Sequence, residues 1–156
     1  MFSHIFFIIL LIATIACGIF ISIADFRRRI IPDAYLFPML LITLTLIAFY
    51  SFPLGIQDAV IGALFGYILG MISGLLFDYY LSKRTSSPYP PIGMGDIKLL
   101  GVGGLWLGID GMGWALIIAC IFGAIWARNR AQKYIPFAPF FFIGGFLSFI
   151  AKLFLL

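Results

Sequence analysis

Two carboxylates carry the chemistry open to this chain. Asp96 closes a Gly93-Met94-Gly95-Asp96 turn, with Lys98 two residues on, where a Ser- and Pro-rich loop meets an apolar segment. Asp25 ends the first apolar segment, beside Arg27, Arg28 and Arg29. Carboxylates are costly at a membrane boundary, so one flanked by flexible glycines needs a reason. Two facing aspartates cannot both ionise cheaply, so one keeps a proton and the other can deprotonate water. The protonated partner polarises a carbonyl, and the pair can hydrolyse an amide with no metal and no covalent intermediate. Asp25 is expected at a helix C-terminus, where the macrodipole disfavours negative charge, and Asp96 at a helix N-terminus, where it is favoured. On that argument the shared proton rests more often on Asp25, within a pair that titrates as one unit.

Composition removes most competing chemistries. All six acidic residues are Asp, and the single His is His4, near the N-terminus. A hydrolytic zinc site needs several His or Glu ligands, so neither a metal nor a cofactor is expected. His4 lies far from the polar cluster, which leaves a Ser-His pair unsupported. Ser82, Ser86 or Ser87 with Lys83 or Lys98 would form a Ser-Lys pair in a solvated loop, a weaker arrangement. Cys17 and Cys120 sit inside apolar segments without metal-ligand spacing and read as small hydrophobes, not a disulfide.

The elements that must position these aspartates are helices. The chain is 63% hydrophobic and 10% charged, far from the roughly one-quarter charged residues of soluble domains. The expected class is all-α: a polytopic membrane bundle of about six transmembrane helices, forming a single domain over residues 1–156. The segments run over roughly residues 4–24, 34–52, 59–81, 97–109, 113–127 and 135 to the C-terminus. The first has no basic leading region and too long an apolar run for a signal peptide, so it is expected to remain as a helix. The third carries Gly62, Gly66, Gly70 and Gly74 on one ridge. That pattern serves close helix packing, or admits a substrate.

The net charge of +4 is spread over short loops, which argues for topology signals and against nucleic-acid binding. Arg27, Arg28, Arg29, Lys83, Arg84, Lys98, Arg128, Arg130 and Lys133 fall on one side, and Lys152 on the other. The positive-inside rule then places both termini outside and the three basic loops in the cytoplasm. Asp25, Asp33, Asp78 and Asp96 share the cytoplasmic face; Asp58 and Asp110 lie opposite. Each has a plainer role to set beside catalysis. Asp96 can cap its helix, Asp25 can pair with Arg28 or Arg29, Asp33 after Pro32 can begin a helix, and Asp78 can pair with Lys83 or Arg84. Lys98 can anchor the cytoplasmic face or tune the pair.

Three blocks in this order resemble the type IV prepilin peptidases, membrane aspartic proteases with a Gly-x-Gly-Asp signature. They are Asp25-Phe26-Arg27-Arg28-Arg29-Ile30-Ile31-Pro32-Asp33, Gly93-Met94-Gly95-Asp96-Ile97-Lys98-Leu99-Leu100, and Ile135-Pro136-Phe137-Ala138-Pro139-Phe140. Ala138 stands where that family usually has Gly. The resemblance spans essentially the whole chain. It implies Asp25 and Asp96 as catalytic residues, supported by Gly93, Gly95, Lys98, Pro32, Asp33, Pro136 and Pro139. It implies a prepilin or pseudopilin substrate, cleaved at the cytoplasmic face of the inner (cytoplasmic) membrane just before the substrate's apolar helix, with lipid as the other partner. Substrate would enter laterally, through an approach that the glycine-rich third and fourth helices could admit. Larger family members add a cytoplasmic domain with paired Cys-x-x-Cys motifs and methylate the new N-terminus. This chain has no Cys-x-x-Cys, so the resemblance is to the minimal form, and methyl transfer is not expected. Two other classes compete: a catalytically inactive membrane scaffold of pilus assembly, and a small proton- or ion-coupled transporter. A transporter would set Asp residues along a path at mid-membrane, whereas these cluster at the two faces.

Overall fold

The computed structural model describes residues 2–82, 92–130 and 135–155. Among them are five helices and no strand: α1 (Phe2–Arg28), α2 (Asp33–Tyr50), α3 (Ile56–Ser82), α4 (Met94–Arg130) and α5 (Phe137–Leu155). α1 to α4 are long and apolar enough to cross a membrane, and the apolar stretch of α5 is shorter. Large apolar side chains such as Ile12, Leu41, Leu75 and Phe146 point outward, as lipid-facing helices require. The chain folds as a polytopic helical bundle.

The stretch expected as a basic loop starts later than its charge suggests. α1 runs on to Arg28, so Asp25 occupies its last turn. The helix stops at Arg29, which takes a left-handed φ of 56° and donates its N–H to the Asp25 carbonyl at 2.9 Å. Pro32 then holds an extended conformation, and its carbonyl accepts the Tyr35 and Leu36 N–H groups at the start of α2. The basic side chains are exposed on this corner while Asp25 turns inward.

The fourth and fifth expected segments are fused. α4 is 37 residues long but is broken at Gly108, whose φ of 67° and ψ of −171° are not helical. Glycine takes such a conformation readily and other residues do not. A straight helix of this length would reach about 55 Å, nearly twice a ~30 Å hydrocarbon core. α4 instead folds back on itself. Along α5, the partners of its second arm run backwards: Gly123 meets Phe140, Ala115 meets Gly144, and Gly111 meets Ser148. Those of its first arm run forwards, Gly103 at Phe141 and Leu107 at Gly145. Residues 94–107 and 109–130 are therefore antiparallel rods, and the six expected segments are found in five helical elements.

The glycine ridge of α3 is consumed in packing. A Cβ at Gly62 would collide with the Gly104 carbonyl, one at Gly66 with the Leu100 carbonyl, and one at Gly104 with Gly62 in return. Backbones this close leave no width for a guest at Gly62 and Gly66, so of the two uses open to the ridge the structure shows close helix packing there. The core between the rods is filled by Ile21, Leu99, Met112 and Phe141. Thr43 donates to the Met39 carbonyl and accepts the Trp106 Nε1–H at 2.8 Å, and Ser148 donates to the Gly111 carbonyl at 2.9 Å.

Candidate active site

Four helix ends meet at one end of the bundle: the last turn of α1 and the first turns of α2, α4 and α5. Among the described residues, Asp25 is the one buried charged side chain, 5% exposed. Its Oδ2 accepts the Ala138 N–H at 2.8 Å, and the Phe137 N–H also faces it. The local sequence explains why. The first N–H groups of a helix have no partner within it. Pro136 and Pro139 have no N–H to offer, so Phe137 and Ala138 are the donors of this first turn. Pro136 is fully buried and Ala138 is 0% exposed, which locks the turn against Asp25.

The C-terminus of α1 disfavours charge on Asp25. The structure adds the N-terminus of α5, whose partial positive charge and donors act the other way. Of the neighbouring arginines, Arg29 is the one whose charge acts on Asp25.

Asp96 is half-buried in the first turn of α4. Its Oδ2 accepts the Gly93 N–H at 3.2 Å, while the Gly93 carbonyl accepts the Asp96 and Ile97 N–H groups. This is the returning half of a capping box, so the plain capping role is present. It does not exclude chemistry, because Asp96 also lies close enough to Asp25 to be acted on by its charge. Gly95 lets the turn sit tightly: a Cβ there would lie 2.8 Å from the Ile31 Cβ. The Gly-x-Gly-Asp turn thus rests on the Ile31-Pro32 stretch that follows Asp25.

Lys98 pairs with neither candidate aspartate. Its Nζ binds both Asp33 oxygens, at 2.9 and 2.8 Å, and lies 5.7 Å from the centre of the Phe37 ring. The pair is 40% and 48% exposed, so it ties α4 to α2 with a strength of about 1 kcal/mol at most. Asp78 is exposed on α3, and its expected partners Lys83 and Arg84 lie outside the described residues, as do Ser86, Ser87 and Lys133. Asp58 and Asp110 are exposed, and with His4 they lie at the opposite end of the bundle. Cys17 and Cys120 are free thiols. Among the described residues, no three His, Cys, Asp or Glu side chains converge.

Two parts of the site escaped the sequence reading. The backbone donors of Phe137 and Ala138 are one; the two flanking prolines held that signal. The other is an aromatic cluster joining the ends of α1, α4 and α5, where Trp126 packs on Phe26 at 5.1 Å and on Phe140 at 6.0 Å. Nothing in the spacing of those rings marks them out.

Comparison with known proteins adds to this geometry. A model of the type IV leader peptidase family matches residues 5–128. Similar proteins include a prepilin leader peptidase/N-methyltransferase of Aeromonas salmonicida strain A449, 32% identical over 139 residues that make up 83% of this chain and 45% of the relative. A protein of the same name from Escherichia coli K12 is 30% identical over 134 residues, 82% of this chain and 56% of the relative. Another, from Dichelobacter nodosus, is 32% identical over 129 residues, 81% of this chain and 43% of the relative. The chain spans about half the length of the curated relatives it matches. No solved structure matches it.

Proposed function

The chain belongs to the type IV leader peptidase family, and on that premise we propose that it removes the leader peptide from type IV prepilins or pseudopilins. The cut falls at the cytoplasmic face of the cell membrane, with Asp25 and Asp96 as the catalytic pair. The observation that carries this reading is the convergence at Asp25. The Asp25 charge acts on Asp96 at the start of α4, and its Oδ2 is held by the Ala138 N–H at the start of α5. The three sequence blocks that resemble the family meet at one place.

The reaction is hydrolysis of one amide. The ionised carboxylate takes a proton from water, whose oxygen bonds to the carbonyl carbon. The protonated carboxylate gives its proton to the carbonyl oxygen. As the C–N bond breaks, the carboxyl that took the water proton gives it to the departing amine, and a hydroxyl on the tetrahedral carbon gives its proton to the other carboxylate, so the pair again holds one proton. The helix ends hold both carboxylates fixed, so little reorganisation is needed at the moment of attack. Asp33 and Lys98 brace the α2 and α4 starts, and Gly95 allows the turn bearing Asp96 to approach Ile31. Pro136 and Pro139 shape the turn that grips Asp25. The basic corner formed by Arg27, Arg28 and Arg29 supports the cytoplasmic placement. The relatives carry two activities in their names; the carboxylate pair serves the peptidase one.

The test is coexpression of candidate prepilins with wild type, Asp25→Ala and Asp96→Ala, followed by the size of the prepilin. Leader removal by wild type alone is expected. Continued removal by either variant would end the aspartyl reading. Pilus assembly that tolerates both variants would favour a scaffold instead.

A further inference from the structure

Two open cavities lie among the described residues of the bundle. One, of about 280 Å³, lies at the end away from Asp25 and Asp96, between Phe52, Trp106, Phe149 and Lys152. The other, of about 270 Å³, runs between the second arm of α4 and the start of α5. One of its walls is built from Ala119, Cys120 and Gly123, and the other from Pro136, Phe137 and Phe140.

The second cavity adjoins the turn that grips Asp25. Pro136 and Phe137 form its wall and also belong to the turn whose Ala138 N–H holds Asp25. Its lining carries no charged side chain. Ala119 and Gly123 form the floor of the groove and are already buried, Gly123 beside Ile135 and Phe140, while Cys120 and Ala124 are exposed at its mouth.

We propose that this groove seats the apolar helical segment of the substrate that follows the scissile bond. The proposal rests on the peptidase reading and gives it a subsite. The position of Cys120 along α4 sets a register. Trp126 packs on Phe26, next to Asp25. Cys120 stands six residues further from that end, about 9 Å along the arm. A helix whose scissile bond lies at Asp25 therefore brings a residue about six positions downstream beside Cys120.

Cysteine cross-linking tests this. In a Cys17→Ser, Asp96→Asn background, Cys120 is the sole cysteine and substrate stays uncut. The probe is a panel of type IV prepilins, each with its leader and a single cysteine scanned through the apolar segment, oxidised in membranes. Cross-links are expected about five to eight residues past the scissile bond, on one helical face. They should be absent when Cys120→Ser is combined with Ile68→Cys on the outer face of α3. Cross-linking that favours Ile68→Cys, or none at Cys120, overturns the groove. A second measurement uses Cys120→Trp with Asp96 intact, which narrows the groove from its open side. KM is expected to rise on the order of tenfold with kcat within about twofold. An unchanged KM overturns the proposal, as does slow maleimide labelling of Cys120 that prepilin leaves unaltered, the mark of a resident lipid chain. Wild type that cleaves prepilins while Cys120 fails both tests removes the groove alone. Wild type that cleaves none removes the peptidase reading as well.

Discussion

The Ala138 N–H donates to Oδ2 of Asp25 at 2.8 Å, so α5 begins on a side chain that belongs to α1. A hydrogen bond to a charged group contributes about 1.5–3 kcal/mol, and this one is buried. It fixes a candidate catalytic carboxylate with a backbone group, which substitution of the Ala138 side chain leaves in place.

Replacing Ala138 by lactic acid, which exchanges the N–H for an ester oxygen, is expected to lower kcat for prepilin cleavage about tenfold. KM should stay within about twofold. Ala138→Gly keeps the donor and should retain activity within about threefold. An ester at Ala151, far along α5, serves as control; an equal loss there would remove the positioning role of the Ala138 donor.

Cleavage by the wild type should follow a bell-shaped pH profile, rising as the first proton leaves the pair and falling as the second leaves. Asp25→Asn and Asp96→Asn should each lower the rate by about a thousandfold or more, the upper range for a positioned acid–base group. A flat profile with a proven rate-limiting chemical step would count against the pair.

Asp33 and Lys98 should be interchangeable as a pair but not singly. Lys98→Asp sets two carboxylates together and is expected to lower activity severalfold; adding Asp33→Lys restores most of it. Thermal stability in detergent should move by no more than about 1 kcal/mol, as for an exposed ion pair. Failure of the double exchange to rescue would show that Lys98 acts elsewhere.

The apolar runs, glycine ridge and charge placement made most of the bundle legible, because a membrane helix must state its length and edges in its own sequence. The ridge of Gly62, Gly66, Gly70 and Gly74 announced a close approach without naming the partner, and two uses stayed open until the Gly104 backbone was found against it. The break at Gly108 was hidden because this chain has 17 glycines, and nothing local separates a reversing glycine from a packing one. Asp25 and Asp96 were visible as misplaced carboxylates. The C-terminus of α1 at Asp25 was legible and the N-terminus of α5 against it was not, since a partner 113 residues away leaves no local trace.

The ridge prediction follows from the same geometry. Gly62→Leu should destabilise the bundle by about 3 kcal/mol or more, because its Cβ meets backbone that cannot yield. A Cβ at Gly113 meets nothing within 4 Å, so Gly113→Ala should be neutral or stabilising by about 0.5–1 kcal/mol. Similar losses in both variants, measured by thermal melting in detergent, would contradict the packing described.

The span from Asp25 to Ala138 also sets a clock. A ribosome that has just joined Asp25 must add 113 more residues before the grip of α5 on that carboxylate can form. At ~5–20 residues per second this takes about 6–23 s. During that interval the early helices enter the membrane carrying an aspartate without its final partner. A nascent chain thus holds Asp25 without this contact until Phe137 and Ala138 have been added and α5 has docked.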